Sequence, residues 1–333
     1  MSGKGTTRED SMKRLIVLLA LLIAVAFAAI PAGAGSSESF RDSERGQKFE
    51  FALIGDMPYS PELEARYEDL IDEINDERTA FTIHVGDIKS GSSRCDDSVY
   101  NKELERFDTF ERPLVYTPGD NEWTDCHRPD AGGFDSLERL AFLRSVFFAD
   151  PSHSQGEREL RVDFQSPDYP ENARWQYGQV TFATVHVVGS NNNLGRTPEN
   201  DQEYAARNQA NLQWLEETFD EAVAKQSAGV LVATQANVFE DNTAEPSGFD
   251  EFVTALEAET VEFGKPVVLV HGDSHYFRID KPLPVGDTQA PRVLNFTRVE
   301  VFGSANVHWV RGAIDVRDPE VFSFDQEIVA DTL

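Results

Sequence analysis

A chain of 333 residues with 59 acidic against 30 basic residues carries a formal charge of -29, and arginine outnumbers lysine. That surplus repels nucleic acid and anionic membrane surfaces, so neither is an expected partner; it points to a salt-rich milieu, although an ordinary solvated acidic surface accounts for it too. The 40% hydrophobic and 11% aromatic content is enough for one large α/β core or two smaller ones.

The N-terminus reads as a targeting segment. Lys4, Arg8, Lys13 and Arg14 precede an unbroken apolar run from Leu15 to Ile30, and Ala32-Gly33-Ala34 fits a small-x-small cleavage site. The run is shorter than the roughly 20 residues of a spanning helix. Residues 1–40 are therefore expected to be a signal peptide and disordered leader, with an uncleaved anchor as the alternative, and the folded domain spans 41–333. The expected location is secreted or periplasmic. Cys95 and Cys126 are the two cysteines. In an exported chain an isolated pair is most simply a disulfide; a zinc site is the weaker reading, since neither belongs to a CxxC.

In chain order, "KFEFALIGDMPYS" predicts a buried strand ending at Gly55-Asp56. A helix follows from Pro61, with Leu63, Tyr67, Leu70, Ile71 and Ile74 on one face. "AFTIHVGDIKSG" is a second strand ending at Gly86-Asp87, "SVYNKELERFDTFE" a helix, and "RPLVYTPGDNE" a third strand ending at Gly119-Asp120. This β-α-β-α-β order with apolar strands implies a parallel sheet with right-handed crossovers. Further on, "SLERLAFLRSVFF" is helical, residues 158–179 form a hairpin and loop, and "VTFATVHVVGSNNN" is a strand. An amphipathic helix runs from Pro198 to Gln226. "GVLVATQANVF", a helix around "GFDEFVTALEAETVEF" and "PVVLVHGDSHYFRID" come next. Residues 291–316 alternate like antiparallel strands, so a second, mixed sheet is expected within one domain.

Asp56, Asp87 and Asp120 each follow a glycine at a strand end, 31 and 33 residues apart, and "HGDSH" adds Asp273. Helix N-capping explains one such aspartate. Three converging on one sheet edge cannot all stay charged without a counter-charge, and a divalent cation is the usual solution.

The ordered series "GDMPY", "HVGDIKSG", "PGDNEW", "ATQAN" and "HGDSH" resembles the calcineurin-like metallophosphoesterases, over roughly residues 48–310. The helix "YAARNQANLQWLEETFDEA" is similar to that family's Q-x-x-W-L helix. The resemblance implies a four-layer α/β/β/α sandwich with two mixed sheets and two metal ions at the strand ends. Carried over, Asp56 is a ligand of the first metal and Asp87 the bridging carboxylate. Asp120 stands at the family's ligand asparagine and Asn121 at its catalytic histidine, while a shift of one residue makes Asn121 the ligand. Gln235 falls at the fourth-motif histidine; Asp273 and His275 fall at the two histidines of GHxH.

Pro58 replaces the histidine of the first motif. An oxygen-rich set of this kind favours Mn²⁺, Mg²⁺ or Ca²⁺ over Fe or Zn, as one ion or two. Losing the third-motif histidine removes the expected general acid. His271 is a candidate replacement catalytic group, although a strand histidine also fits a satisfied core. Lys89 is a candidate for binding a phosphate oxygen, or a solvated lysine. His84, Trp123 and His308 read as structural, and Ser274 as a nucleophile has no visible triad partner. The expected function is exported, metal-dependent hydrolysis of a small phosphoester by metal-activated water. The alternative is a catalytically degenerate relative that binds a ligand or partner.

Overall fold

The computed structural model describes residues 47–240, 244–284 and 290–330, which belong to one compact unit, Glu44–Leu333. The expected signal peptide lies outside the described residues. Among those described, no helix is long and apolar enough to cross a membrane.

The chain builds β1 (Lys48–Ile54), α1 (Pro61–Asp76), β2 (Thr82–His84), α2 (Asp97–Phe107), β3 (Leu114–Tyr116) and α3 (Ser136–Phe147). It continues with β4 (Asp163–Ser166), β5 (Tyr169–Tyr177), β6 (Val180–Thr184), α4 (Pro198–Ala224), β7 (Gly229–Ala233) and α5 (Asp250–Phe263). The last elements are β8 (Val267–His271), β9 (Arg278–Asp280), β10 (Phe296–Glu300), β11 (Trp309–Asp315) and β12 (Phe322–Glu327).

Two mixed sheets result, ordered β12-β11-β1-β2-β3 and β4-β5-β6-β7-β8-β10-β9. In the first, β1, β2 and β3 run parallel, and β11 joins β1 antiparallel. In the second, β6, β7, β8 and β10 run parallel. The expectation of antiparallel strands over residues 291–316 holds where β10 meets β9 and where β11 meets β1, and needs correcting only where β10 meets β8. β10 runs parallel to β8 and antiparallel to β9, and the chain then leaves for the other sheet, where β11 and β12 pair antiparallel. Alternation reports which faces a strand buries and is silent on its direction.

Strand alternation sets the layers. On β1, Ala52 and Ile54 pack with Tyr67, Leu70 and Ile74 of α1 and with Leu140 and Leu143 of α3. Phe51 and Leu53 point the other way, meeting Phe182, Leu231, Val268 and Val299 of the second sheet. On β8, Val267 and Leu269 pack with Trp214 and Leu215 of α4 and Phe252 and Leu256 of α5. The order is thus helix, sheet, sheet, helix. Each buried Leu, Ile or Phe in these layers contributes about 1.5–3 kcal/mol through burial.

Local signals support the helices. Pro61 opens α1, Asp135 caps α3 by accepting the Glu138 N–H, and Thr197 caps α4 through the Asn200 N–H. The strand expected over 180–193 stops at Thr184, and the chain turns through Gly189–Asn192 with left-handed backbone at Ser190 and Asn191. That turn leans over the strand ends of the first sheet.

Candidate metal centre

Four Gly-Asp pairs follow β1, β2, β3 and β8 and bring their aspartates to one edge. One carboxylate oxygen each from Asp87, Asp120 and Asp273 lies within 4.8 Å of the others. Asp87 and Asp120 are buried, and Asp273 is half-buried. Among the described residues no second group of three His, Cys, Asp or Glu converges in this way.

Asp56 stands beside this triad. Its Oδ1 accepts the Asp273 N–H at 2.9 Å and lies 3.6 Å from His275 Nε2, while its Oδ2 is buried without a hydrogen-bond partner. Burial, and then the neighbouring carboxylates, hold Asp87 well above the usual carboxylate range. Burial does the same to Asp56 against the Asp273 N–H, with Glu300, Asp120 and Glu122 adding to it.

Glycines make the convergence possible. A β-carbon on Gly119 would come within 2.0 Å of Asp87 Oδ1, and one on Gly272 within 1.9 Å of Asp56 Oδ2. The glycine of one motif thus makes room for the aspartate of another. Asp56, Asp87 and Asp273 all adopt positive φ, a conformation that costs a non-glycine residue about 1–3 kcal/mol and is held by its surroundings.

Asn121 turns an amide nitrogen toward the site. Its Nδ2 donates to Asp87 Oδ2 at 2.7 Å and to the Tyr59 hydroxyl at 2.9 Å, and its main-chain N–H reaches Asp87 Oδ1 at 3.2 Å. A carboxylate accepts only from the nitrogen end of an amide, so the orientation follows from the partner. An Asp120 oxygen is thus one of the three that converge, and Asn121 hydrogen-bonds Asp87 through both its side chain and its main chain.

Other candidates lie differently. Gln235 is fully buried, and its Oε1 accepts the Gly189 N–H at 2.7 Å. His271 donates from Nδ1 to the Gly272 carbonyl, and burial drives it down to about 3 with Arg298 and Arg278 nearby. Its Nε2 is fully buried and has no hydrogen-bond partner. Lys89 is buried, with Nζ donating to the carbonyls of Ser90 and Asn121 at 2.8 and 2.7 Å. Although it lines a cavity of about 330 Å³, its ammonium is engaged with the loops. His275 donates from Nδ1 to the Ser304 carbonyl at 2.7 Å, which leaves Nε2 as an acceptor facing the Tyr59 hydroxyl at 3.2 Å. Cys95 and Cys126 form a disulfide with Cα atoms 5.7 Å apart.

Three contributors had no visible role in the sequence. Glu122 is fully buried, and its Oε1 accepts the N–H groups of Asp87 and Gly119 and the Tyr116 hydroxyl at 3.0, 2.6 and 2.8 Å. It ties the second motif to the third. Ser190 Oγ lies 2.7 Å from Asp120 Oδ2 and 2.8 Å from Asp125 Oδ1, arriving from the turn after β6. Tyr59 places its hydroxyl 2.8 Å from Asp87 Oδ2 and 3.5 Å from Asp56 Oδ1. Its presence in "GDMPY" was the only available signal.

Trp123 anchors the third loop as a structural residue: it is fully buried, with the Arg207 guanidinium 5.3 Å from its ring and His186 beside it. His84 is also buried, packing on Phe107 and Tyr116.

The donor set fits a hard divalent cation. Three carboxylates meet at one buried edge, and the charges that press most on Asp87 are further carboxylates, so the cluster calls for positive charge in its midst.

No family model matches the chain, and no curated protein matches it. Among solved structures, it is similar to GAP50, the anchor in the inner membrane complex of Plasmodium, at 10% identity and a TM-score of 0.46, over 85% of this chain and 89% of that one. A likeness of that degree does not bear on what the site does.

Proposed function

We propose that this chain is an exported phosphoesterase of the calcineurin-like type, acting on a small phosphoester with a divalent cation held by Asp87, Asp120 and Asp273. The observation that carries the reading is the meeting of those three carboxylate oxygens within 4.8 Å at the ends of β2, β3 and β8. The ordered motifs and the two-sheet sandwich support it, and the disulfide fits an oxidising compartment.

A bound cation would act as a Lewis acid on a phosphoryl oxygen and lower the pKa of a bound water. The chain's own residues arrange the rest. Glu122 and Asn121 hold Asp87 in place through three N–H groups. Lys89 offsets part of the negative charge from behind the loops. His275, kept neutral by burial against the opposing bond to Ser304, presents Nε2 as a proton acceptor. Asn121 stands where the leaving group would need an acid, and an amide cannot donate a proton in that sense; substrates with good leaving groups are therefore favoured.

Hydrolysis of p-nitrophenyl and bis-p-nitrophenyl phosphate with Mn²⁺, Mg²⁺ or Ca²⁺ tests this reading, with Asp87→Ala as the control. No turnover above that control with any cation would sink it. A second reading has its own observation: the Asn121 amide is spent on Asp87 and Tyr59. A module that binds cation and phosphate without hydrolysis would then give calorimetric binding of inorganic phosphate to the Mn²⁺-loaded protein, and no product.

A further inference from the structure

We infer that the cleft takes one cation and not two, because the Tyr59 hydroxyl occupies the half bounded by Asp56, Asp87 and His275. The inference rests on the proposed cation site and concerns how many ions that site admits.

Two halves meet at Asp87. On one side, its carboxylate converges with Asp120 and Asp273. On the other side stand Asp56 and His275, with Asp56 Oδ1 and His275 Nε2 3.6 Å apart. A cation shared by Asp56, His275 and Asp87 would lie about 2.0–2.6 Å from each donor atom. The Tyr59 oxygen already fills that middle ground: it is 2.8 Å from Asp87 Oδ2, 3.2 Å from His275 Nε2 and 3.5 Å from Asp56 Oδ1. Its one proton is donated to Asp87 Oδ2, the shortest of the three contacts, and the oxygen itself stands in the space between the other two would-be ligands.

The hydroxyl is fixed there from several directions. Asn121 Nδ2 donates to it at 2.9 Å, and the His275 ring packs edge-on against the Tyr59 ring with centroids 5.0 Å apart. Pro58 precedes it and offers no donor atom for a cation. Neither Asp56 nor His275 belongs to the group whose ligand atoms converge. Asn121 also bonds Tyr59 and Asp87 together, so this half is closed by hydrogen bonds among Tyr59, Asn121 and the Asp87 carboxylate.

The experiment is Mn²⁺ stoichiometry on the mature chain at saturation, by elemental analysis and electron paramagnetic resonance, for the native protein, Asp87→Asn and Tyr59→Ala. One Mn²⁺ per native chain with an uncoupled spectrum is expected, and a second, exchange-coupled Mn²⁺ in Tyr59→Ala. Two ions in the native chain would overturn the inference while leaving the cation site standing. An unchanged single ion in Tyr59→Ala would overturn the role given to Tyr59. No Mn²⁺ in the native chain would overturn the cation site itself, a distinct result. An iron-loaded protein with a phenolate-to-iron absorption band, lost in Tyr59→Phe, would make Tyr59 a ligand and also overturn the inference. Should Tyr59→Ala fail to fold, Tyr59→Ser carries the same expectation.

Discussion

Gly272 lies against the Asp56 carboxylate so closely that an added β-carbon would come within 1.9 Å of Oδ2. Gly119 stands in the same relation to Asp87 at 2.0 Å. Two of the four Gly-Asp glycines thus each make room for a carboxylate from another strand, whereas Gly55 lies against Val85 and Gly86 against the Gly119 backbone. Gly272→Ala is expected to lower stability by about 1–3 kcal/mol through overpacking and to weaken Mn²⁺ binding by displacing Asp56 and the Asp273 N–H it accepts. Denaturant melts and calorimetry check both effects. An alanine variant with native stability and affinity would show that the carboxylate moves aside freely.

Cation binding should couple to pH in a definite direction. Asp56 and Asp87 are raised in the fold, by burial first and neighbouring carboxylates after. A carboxyl raised in the fold contributes fully below its unfolded value of about 3.9, and that stability is lost as pH rises through the folded value. The chelator-treated protein is therefore expected to lose stability from mildly acidic toward neutral pH. Mn²⁺ should restore it at neutral pH, by about 5–10 °C in Tm at roughly 100 times its dissociation constant, and have no effect near pH ~4. Thermal melts with and without chelator measure this, and a Mn²⁺ effect that grows toward acid pH would contradict it.

The Cys95–Cys126 disulfide links the loop after β2 to the loop after β3 across 31 residues. The chain-entropy relation gives about 3–4 kcal/mol for a loop of that size. Replacing both cysteines with serine is expected to cost that much in denaturant melts. Mn²⁺ affinity should also fall, since Asp87 and Asp120 sit on the two linked loops. A double variant as stable as the native chain would mean that packing around Trp123 alone holds the loops.

Glu171 anchors a buried network behind the third loop. Burial pushes it up, but Arg144 and His186 prevail and hold it down to about 2. Its partners are Arg144 Nη2 at 2.5 Å and His186 Nδ1 at 2.7 Å, and His186 packs on Trp123. A depressed carboxyl contributes above its unfolded value of about 4.3 and loses that contribution as pH falls toward the folded value. Glu171→Gln is expected to cost about 2–3 kcal/mol at neutral pH, less than a fully buried pair, because 24% of the Arg144 side chain meets solvent. The difference from the native chain should shrink below pH ~4, and a constant difference across that range would exclude the ion-pair origin.

What the sequence determined by itself follows from local rules. Alternation, caps and Gly-Asp strand ends identified the elements from β1 to β3, the long helix α4, the cysteine pair and the aspartates that share an edge, because each is a pattern of neighbouring residues. The parallel pairing of β10 with β8, the convergence of Asp87, Asp120 and Asp273, and the full burial of His271 were decided by packing between distant segments. The same holds for Glu122, Ser190 and Tyr59, which gain roles only when three strand ends and the turn after β6 meet. A hydroxyl three residues past Asp56 means little along the chain. It matters because β2 and the β3 loop bring Asp87 and Asn121 within hydrogen-bonding distance of it, and the loop after β8 brings His275.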